Sequence, residues 1–287
     1  MVKHKRSIGF FFNRWFAQLF CRASLQPFFR HGYKLMLRGM GLLNADGDDV
    51  TGETWLLEKL ATTEIKLIVD VGANTSVYGY DVLPKSVKLI AFEPNPETFA
   101  LLSAKQYPKR VELHQVAVGD HNKTISLYDF ADDATAKASQ PTATLASTNK
   151  EVIEQFHGQK SKRYQVKQVT LDSFLAPRTV KHIDLLKIDV EGAELAVLRG
   201  AKQLIAEHQI DLIQFEFNEM NVYQRVFLKD FIDQLPNYRF YRLGPNGLLP
   251  LRPYRPLTHE LFGFQNILAI SNRNLHKWLM IFHTADS

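Results

Sequence analysis

Five short apolar runs set the strongest limit on how this chain of 287 residues can fold. The runs occupy residues 67–69, 87–92, 111–118, 183–188 and 212–217. As a set they suit strands that are buried on both faces of a parallel sheet, which need no regular alternation of polar and apolar residues. Two further candidate strands, at residues 238–243 and 264–270, are interpreted as an antiparallel edge pair.

Helical patterns separate these runs. Asn95, Pro96 and Glu97 form a helix start, with a capping side chain, a proline at the first helical position and an acid in the first turn. In residues 191–207 the apolar side chains recur at helical spacing and form one stripe, and Glu191 is expected to open that helix. The alternation of strand and helix predicts an α/β fold, doubly wound, with helices on both faces of the sheet.

The basic character of the chain is confined to its beginning. The formal net charge is +5, yet residues 1–40 hold eight Lys or Arg and no acid, which leaves −3 for the rest. Aromatic residues lie among these cations, so the segment suits either a helical cap or contact with an anionic membrane surface. Arg14 and Arg22 interrupt the apolar residues, which argues against a membrane span and a secretory signal. No nucleic-acid-binding motif accompanies the charge, so no nucleic-acid partner is expected.

The sequence divides into three segments. Residues 1–53 are interpreted as a basic, aromatic-rich helical segment with a linker, residues 54–275 as the main domain and residues 276–287 as a C-terminal tail. Within the main domain, residues 131–162 form a long loop or insertion, which is either a substrate lid or a surface excursion. The single cysteine, Cys21, excludes an internal disulfide and a cysteine metal cluster, and it agrees with a cytoplasmic protein.

Acidic residues follow three of the apolar runs. Asp70 precedes Gly72, which has no β-carbon and so lets backbone N–H groups and the next helix approach a ligand. Glu93 comes 23 residues later, where an acid can bind the two hydroxyls of a ribose, or merely cap the following helix. Asp189 ends the fourth run. Because ligands of open α/β sheets bind beyond the carboxyl ends of the strands, these acids predict one site.

The order of the motifs resembles the FkbM family of methyltransferases. The residues that carry the resemblance are Asp70-Val71-Gly72-Ala73-Asn74, Phe92-Glu93-Pro94-Asn95, Ala117-Val118-Gly119-Asp120 and Lys187-Ile188-Asp189-Val190-Glu191-Gly192-Ala193-Glu194. The resemblance covers roughly residues 66–270. It implies a Rossmann-like class I methyltransferase fold, with a mostly parallel sheet of seven strands of which one is antiparallel. It also implies S-adenosylmethionine as the methyl donor and a hydroxyl acceptor on a sugar, glycan or similar small molecule.

The resemblance also implies roles for individual residues in binding the donor. The turn of Gly72, Ala73 and Asn74, which begins at Asp70, would hold the methionine end. Glu93, followed by Pro94, would hold the ribose. Ala117 and Val118 would border the adenine, and Asp189 would face the methionine amino group or the reacting centre.

A sugar hydroxyl needs a base to take its proton, and the candidates are Asp189, Glu191 and Glu216. His114 falls inside a predicted strand and is interpreted as structural. Asp189, Glu216 and Asn218 could together bind Mg²⁺, but we favour the interpretation in which Glu216 and Asn218 bind hydroxyls of the substrate. Further acceptor contacts are proposed at Thr142, Thr144, Ser147, Tyr223 and Arg225.

Two alternatives remain at this point. A nicotinamide-dependent oxidoreductase would share the glycine turn and the ribose acid, but the three-glycine pattern that admits a pyrophosphate is absent. A degenerate methyltransferase fold, which binds a ligand or partner without catalysis, is suggested by Ser76. That serine stands where the family usually has a second glycine.

Overall fold

A computed structural model describes residues 8–45, 47–131, 146–148, 150–151, 153–154, 158, 160–178, 180 and 182–283. Contacts divide the chain after Leu43 into two compact units. The first unit contains α1 (Ile8–Phe20), a short 3₁₀ turn (Ala23–Leu25) and α2 (Gln26–Gly39). None of the helices in the described ranges has both the length and the apolar character needed to cross a membrane.

The second unit contains eleven strands and ten helices among its described residues. The strands are β1 (Leu67–Val71), β2 (Lys88–Phe92), β3 (Val111–His114), β4 (Ala117–Val118), β5 (Lys123–Phe130), β6 (Ser161–Val169), β7 (Ile183–Ile188), β8 (Ile210–Phe217), β9 (Tyr238–Gly244), β10 (Gly247–Pro250) and β11 (Gln265–Ser271). The helices are α3 (Asp48–Thr51), α4 (Glu53–Ala61), α5 (Pro96–Ala104), α6 (Leu171–Leu175), α7 (Glu194–Arg199), α8 (Lys202–Ala206), α9 (Met220–Gln224), α10 (Leu228–Gln234), α11 (Pro256–His259) and α12 (Leu275–Ile281).

The main sheet has the order β10-β9-β11-β8-β7-β1-β2-β3. Strands β3, β2, β1, β7 and β8 are mutually parallel, whereas β11 runs antiparallel to both β8 and β9. The predicted Rossmann-like sheet is therefore confirmed. The count differs by one, because β10 folds back on β9 across the short Pro245-Asn246 turn and adds an eighth strand at the edge. That edge position belongs to β10, so β9 and β11 pair in antiparallel fashion inside the sheet.

Burial on both faces explains the apolar runs. All six residues of β7 and all five of β1 are buried. One apolar cluster covers one face of the sheet with Leu198 of α7 and Phe231 of α10, and a second covers the other face with Leu60 of α4 and Trp278 of α12. All of helix α12 except Leu275 thus lies within the segment interpreted as a tail, and the indole ring of Trp278 is fully buried.

Two helix predictions need correction. The pattern at 191–207 forms two helices, α7 and α8, and α7 begins at Glu194 because Glu191 and Gly192 have left-handed φ values of 55° and 99°. The break at Gly200 accompanies a close backbone approach: a β-carbon there would lie 2.0 Å from the carbonyl oxygen of Gly119. No helix follows β1, since residues 72–87 form turns and Pro84 supplies no backbone N–H.

A second sheet of three strands, in the order β4-β6-β5, was not predicted. The run at 111–118 divides between the two sheets, with β3 in the main sheet and β4 in the small one. Strands β5 and β6 pair antiparallel and flank the predicted loop at 131–162, so its last two residues belong to β6. Thr142 and Thr144 lie outside the described residues.

Candidate active site

A cavity of about 640 Å³ lies at the carboxyl ends of β1, β2 and β7, between the main sheet and the small one. This volume is within the usual range for a site that binds a small molecule. Of the residues predicted to bind a donor or to act in catalysis, those that line the cavity are Gly72, Asn74, Glu93, Pro94, Ala117, Val118, Asp189 and Glu191. The structure therefore brings together residues that are more than 100 positions apart in the chain.

Glu93 follows β2 and is held by two backbone groups. One carboxylate oxygen accepts a hydrogen bond from Asn74 N at 3.0 Å, and the other accepts one from Asn95 N at 2.8 Å. Burial raises the pKa of Glu93 to about 7, although the two N–H donors lower it. Each oxygen has further lone-pair capacity, so the carboxylate can still accept hydrogen bonds from ligand hydroxyls.

Gly72 lines the cavity and also has a packing role that was not predicted. Its φ is 90°, and a β-carbon at this position would lie 1.7 Å from the carbonyl oxygen of Asp189. The N–H groups of Gly72 and Ala73 both donate to Phe92 O at 2.9 Å, and that of Asn74 donates to Glu93. Glycine is thus required for the close approach of β1 and β7, and the N–H groups of the turn bind the protein itself.

A buried lysine joins two of the predicted acids. Lys187 is 8% exposed and lies beside Asp70 across the β1–β7 pair. Its ammonium group is 3.1 Å from Asp189 Oδ2 and 3.7 Å from Asp70 Oδ1. Burial alone would lower the pKa of Lys187, but Asp189 and Asp70 together raise it, so the lysine is charged. Lys187 therefore pairs with both acids.

The two aspartates of this network have different surroundings. Asp70 is fully buried inside β1 and accepts a hydrogen bond from Tyr78 N at 2.8 Å, so it fixes the turn and does not line the cavity. The side chain of Asp189 is 41% exposed and faces the cavity. Lys187 therefore positions a carboxylate that a ligand can reach.

Three glutamates crowd together beside Asp189. Burial raises the pKa of Glu191 and Glu216 well above the ordinary value, and Asp189 and Glu194 raise both further. Burial also raises the pKa of Glu194 to about 7, while its carboxylate accepts hydrogen bonds from the backbone of Gly192 and Val190. Glu191 Oε2 is buried with no hydrogen-bond partner, and Glu191 has a left-handed backbone. Such strain is concentrated at functional sites.

Several singled-out residues lie outside the cavity lining. These are Asp70, Ala73, Ser76, His114, Glu216, Asn218, Tyr223 and Arg225. Ser76 is exposed, so its side chain does not narrow the cavity. His114 packs between the rings of Phe92 and Phe174, which agrees with a structural role. Ser147 is buried and donates a hydrogen bond to Glu191 O at 3.0 Å, so its hydroxyl already has a protein partner.

The small sheet contributes a wall of the cavity that was not predicted from the sequence. Thr124, Ser126 and Tyr128 of β5 and Gln168 of β6 line the cavity. A signal was present, because polar residues alternate with Ile125 and Leu127, as expected for a half-buried strand.

The described residues do not assemble a metal site around Asp189 and Glu216. The one set of three His, Cys, Asp or Glu side chains close enough for an ion in the described ranges is His182, Asp184 and Asp211. This set lies at the opposite ends of the strands. Asn218 Oδ1 accepts a hydrogen bond from Met220 N at 2.8 Å, so it too has a protein partner.

The strand order and the acid-lined cavity define a methyltransferase of the Rossmann-like class. The model of the methyltransferase FkbM domain matches residues 70–243, which is more than half of the chain. The chain therefore belongs to the FkbM methyltransferase family. This agrees with the predicted enzyme class and not with the oxidoreductase alternative.

Two relatives are methyltransferases. The 2-O-methyltransferase NoeI of Sinorhizobium fredii is 25% identical over 186 residues, which cover 63% of this chain and 76% of NoeI. Methyltransferase 1 of Beauveria bassiana is 31% identical over 148 residues, which cover 46% of this chain and 57% of that protein. The chain thus matches little more than half the length of the second relative.

Solved structures show distant similarity. Methyltransferase FkbM from Methylobacillus flagellatus KT is 13% identical, with a TM-score of 0.41 over 71% of this chain and 43% of that one. SMU.1697c from Streptococcus mutans, solved in complex with SAH, is 9% identical, with a TM-score of 0.39 over 77% of this chain and 97% of that one. The family assignment rests on the domain match.

Proposed function

We propose that this enzyme transfers a methyl group from S-adenosylmethionine to a hydroxyl of a sugar, a glycan or a similar polyhydroxylated acceptor. The family supports methyl transfer. The name of the relative NoeI, a 2-O-methyltransferase, supports an oxygen acceptor. The cavity supports both the donor and the acceptor class through its charge and its polar wall.

The charge of the cavity carries the proposal. Among the described residues that line it, four are acids (Glu93, Asp120, Asp189 and Glu191), and Lys123 is the only Lys or Arg. Burial raises the pKa of Glu93 and Glu191, and neighbouring acids raise both further, although the Lys187 ammonium lowers that of Glu191. S-adenosylmethionine brings a sulfonium and an ammonium group, so it would add positive charge beside acids that outnumber the cations of the lining.

Glu93 and Pro94 would hold the ribose, and Ala117 and Val118 would border the adenine with small apolar surfaces. Gly72 and Asn74 would border the methionine end, and the carboxylate of Asp189 would bind its amino group. Lys187 would keep Asp189 in place through their 3.1 Å contact.

S-adenosylmethionine supplies, when bound, a methyl group that is already activated for displacement. The protein must therefore align the acceptor oxygen and remove its proton. We assign proton removal to Glu191, because it lines the cavity and its Oε2 has no hydrogen-bond partner. Its raised pKa makes it a stronger base than an ordinary glutamate. Glu216 lies outside the lining and would act on the reaction only through its electrostatic effect on this cluster.

Polar side chains suit the wall that would face a carbohydrate. Of the polar residues that line the cavity, Ser126 and Gln168 are hydrogen-bonded to Arg163 and His121, whereas Thr124, Tyr128 and Thr148 offer hydroxyl groups. Such groups can both donate and accept hydrogen bonds, which matches the dual character of sugar hydroxyls. A divalent metal is not required by this arrangement and is not part of the proposal.

A labelled donor would test the proposal. The enzyme is incubated with S-adenosylmethionine that carries a ¹³C methyl group and with a panel of sugars and glycans, and products are identified by mass spectrometry and NMR. We expect a new O-methyl group on at least one hydroxylated acceptor. Methylation of nitrogen or carbon acceptors only would contradict the proposal.

Two conservative variants separate the assigned roles. Glu191→Gln should lower kcat by about 10²–10⁴ and leave donor affinity nearly unchanged, since a base acts on the chemical step. Asp189→Asn should mainly weaken donor binding. An Asp189→Asn variant with normal donor affinity, or a Glu191→Gln variant with normal kcat, would overturn the corresponding role.

A further inference from the structure

The first unit of the structure exposes an unusual amount of apolar surface. Of the 17 large apolar side chains that are exposed in the described residues, ten lie between Phe11 and Met40. Soluble proteins rarely gather such side chains into one patch unless the patch binds something. Methyl transfer does not explain this surface, because none of these residues is part of the cavity lining described above.

Helix α1 carries one continuous apolar face. Phe12, Trp15, Phe16 and Leu19 stand at positions i, i+3, i+4 and i+7, and each is between 39% and 58% exposed. The three aromatic rings of this face lie side by side, and the ring centroids of Phe12 and Trp15 are 5.9 Å apart. Arg14 lies on the opposite side of the helix by the same periodicity. The helix is therefore amphipathic, with its apolar face exposed.

Helix α2 repeats the pattern and adds a basic stripe. Arg30, Lys34 and Arg38 recur every four residues and so share one side of the helix. Phe28 and Leu35, which lie on the other side, are 73% and 66% exposed. The two helices meet through Phe16 and Phe29, whose ring centroids are 6.1 Å apart.

Charge decides between the possible occupants of this surface. The first acid of the chain is Asp46, so the whole segment is cationic. A second copy of the chain would bring the same positive charge and would be repelled. An anionic lipid bilayer provides both an apolar layer for the aromatic side chains and negative head groups for the arginines and lysines.

We propose that α1 and α2 dock the enzyme on an anionic membrane surface and lie in the plane of the interface. Amphipathic helices with Trp, Phe and Leu on one face and Lys or Arg on the other bind membranes in this way. The negatively charged cytoplasmic leaflet suits the cytoplasmic location that the sequence predicts. The enzyme would thereby meet acceptors that are attached to, or collected at, that surface.

Vesicle flotation of the full chain tests this docking. We expect binding to vesicles of phosphatidylcholine mixed with phosphatidylglycerol, weaker binding at high salt, and much weaker binding to phosphatidylcholine alone. Replacing Arg30, Lys34 and Arg38 by Gln should weaken binding by about 100-fold, because each basic residue near an anionic surface contributes roughly fivefold. Failure to bind either kind of vesicle would overturn the proposal.

A pair of variants controls for charge. Trp15→Asp and Asn13→Asp add the same negative charge to α1, but only Trp15 lies on the apolar face. We expect Trp15→Asp to lose at least tenfold more affinity than Asn13→Asp. Equal losses would refute insertion of the apolar face. Donor binding by each variant reports whether the catalytic unit is folded, independently of the membrane.

Fluorescence gives a second readout. Trp15 is 52% exposed, whereas Trp278 is fully buried and Trp55 is partly buried. Brominated lipids should therefore quench Trp15 and spare the other two. Absence of quenching, together with self-association that Trp15→Asp abolishes, would assign the surface to a contact between copies instead.

Discussion

Glu93 links donor binding to pH. Burial raises its pKa to about 7, and only the ionised carboxylate is a full acceptor for the two ribose hydroxyls. With that pKa, the ionised fraction is about 90% at pH 8 and about 10% at pH 6. The apparent Kd for S-adenosylmethionine should therefore rise about tenfold between pH 8 and pH 6, since affinity scales with the fraction of competent protein.

Isothermal titration calorimetry measures this effect directly. The wild type is compared with Glu93→Gln and with Glu194→Gln at both pH values. Glu194 is the matched control, because its pKa is also raised to about 7 but its carboxylate binds backbone N–H groups and does not line the cavity. Glu93→Gln should bind weakly and with little pH dependence, whereas Glu194→Gln should keep the wild-type dependence. A wild-type Kd that changes less than twofold between pH 6 and 8 would refute the reasoning.

Glu93 should also make the protein without bound donor less stable at high pH. A carboxyl group whose pKa is raised in the folded state stabilises that state below its unfolded pKa of 4.5, and the contribution is lost as the pH rises through 7. The shift corresponds to roughly 3 kcal/mol. Glu93→Gln should thus raise the unfolding temperature at pH 8 while it weakens donor binding, and a lower unfolding temperature at pH 8 would contradict the account.

Three further predictions concern stability, each measured by urea unfolding. Gly72→Ala should lower the free energy of unfolding by roughly 4 kcal/mol or more, because a β-carbon would overlap the carbonyl oxygen of Asp189. The control is Gly32→Ala, which should not lower it, since a β-carbon there meets no atom within 4 Å. Asn95→Ala should cost about 2–4 kcal/mol, since Asn95 caps α5 and also donates to the buried Asp129 at 2.7 Å. Lys187→Met should lower the free energy of unfolding by about 3–5 kcal/mol at pH 7, and by less at pH 5, where the unpaired Asp70 can take up a proton. If the effects of Lys187→Met and Asp70→Asn on this free energy were purely additive, the pairing would be contradicted.

The sequence was sufficient to predict the main sheet and the acids at its carboxyl edge. Strands β1, β2, β7 and β8 follow from short apolar runs, because burial on both faces leaves little choice of residue. The cap of α5 was also predicted from the sequence, and in the structure Asn95 accepts hydrogen bonds from the backbone of Glu97 and Thr98. Local chemistry of this kind needs no tertiary information.

Features that depend on distant contacts were not predictable from local patterns. The sequence around Gly72 predicts a ligand-binding glycine. Glycine is required at this position because the backbone of Asp189, which is far away in the chain, approaches closely. The sequence predicts a helix that begins at Glu191, yet Glu191 has a left-handed backbone and the helix begins at Glu194. Within the run at 111–118, no residue pattern in the sequence indicates where the chain leaves the main sheet and enters the small one.

A crystal structure of the enzyme with S-adenosylhomocysteine would test the central claim most directly, because it locates the donor without requiring the acceptor. We predict that the ribose hydroxyls lie within hydrogen-bonding distance of Glu93, with the adenine beside Ala117 and Val118 and the amino acid end towards Asp189. A ligand bound elsewhere, such as the cavity beside His182 and Asp211, would contradict the account. So would a failure of the wild type to bind this ligand at any pH between 6 and 8.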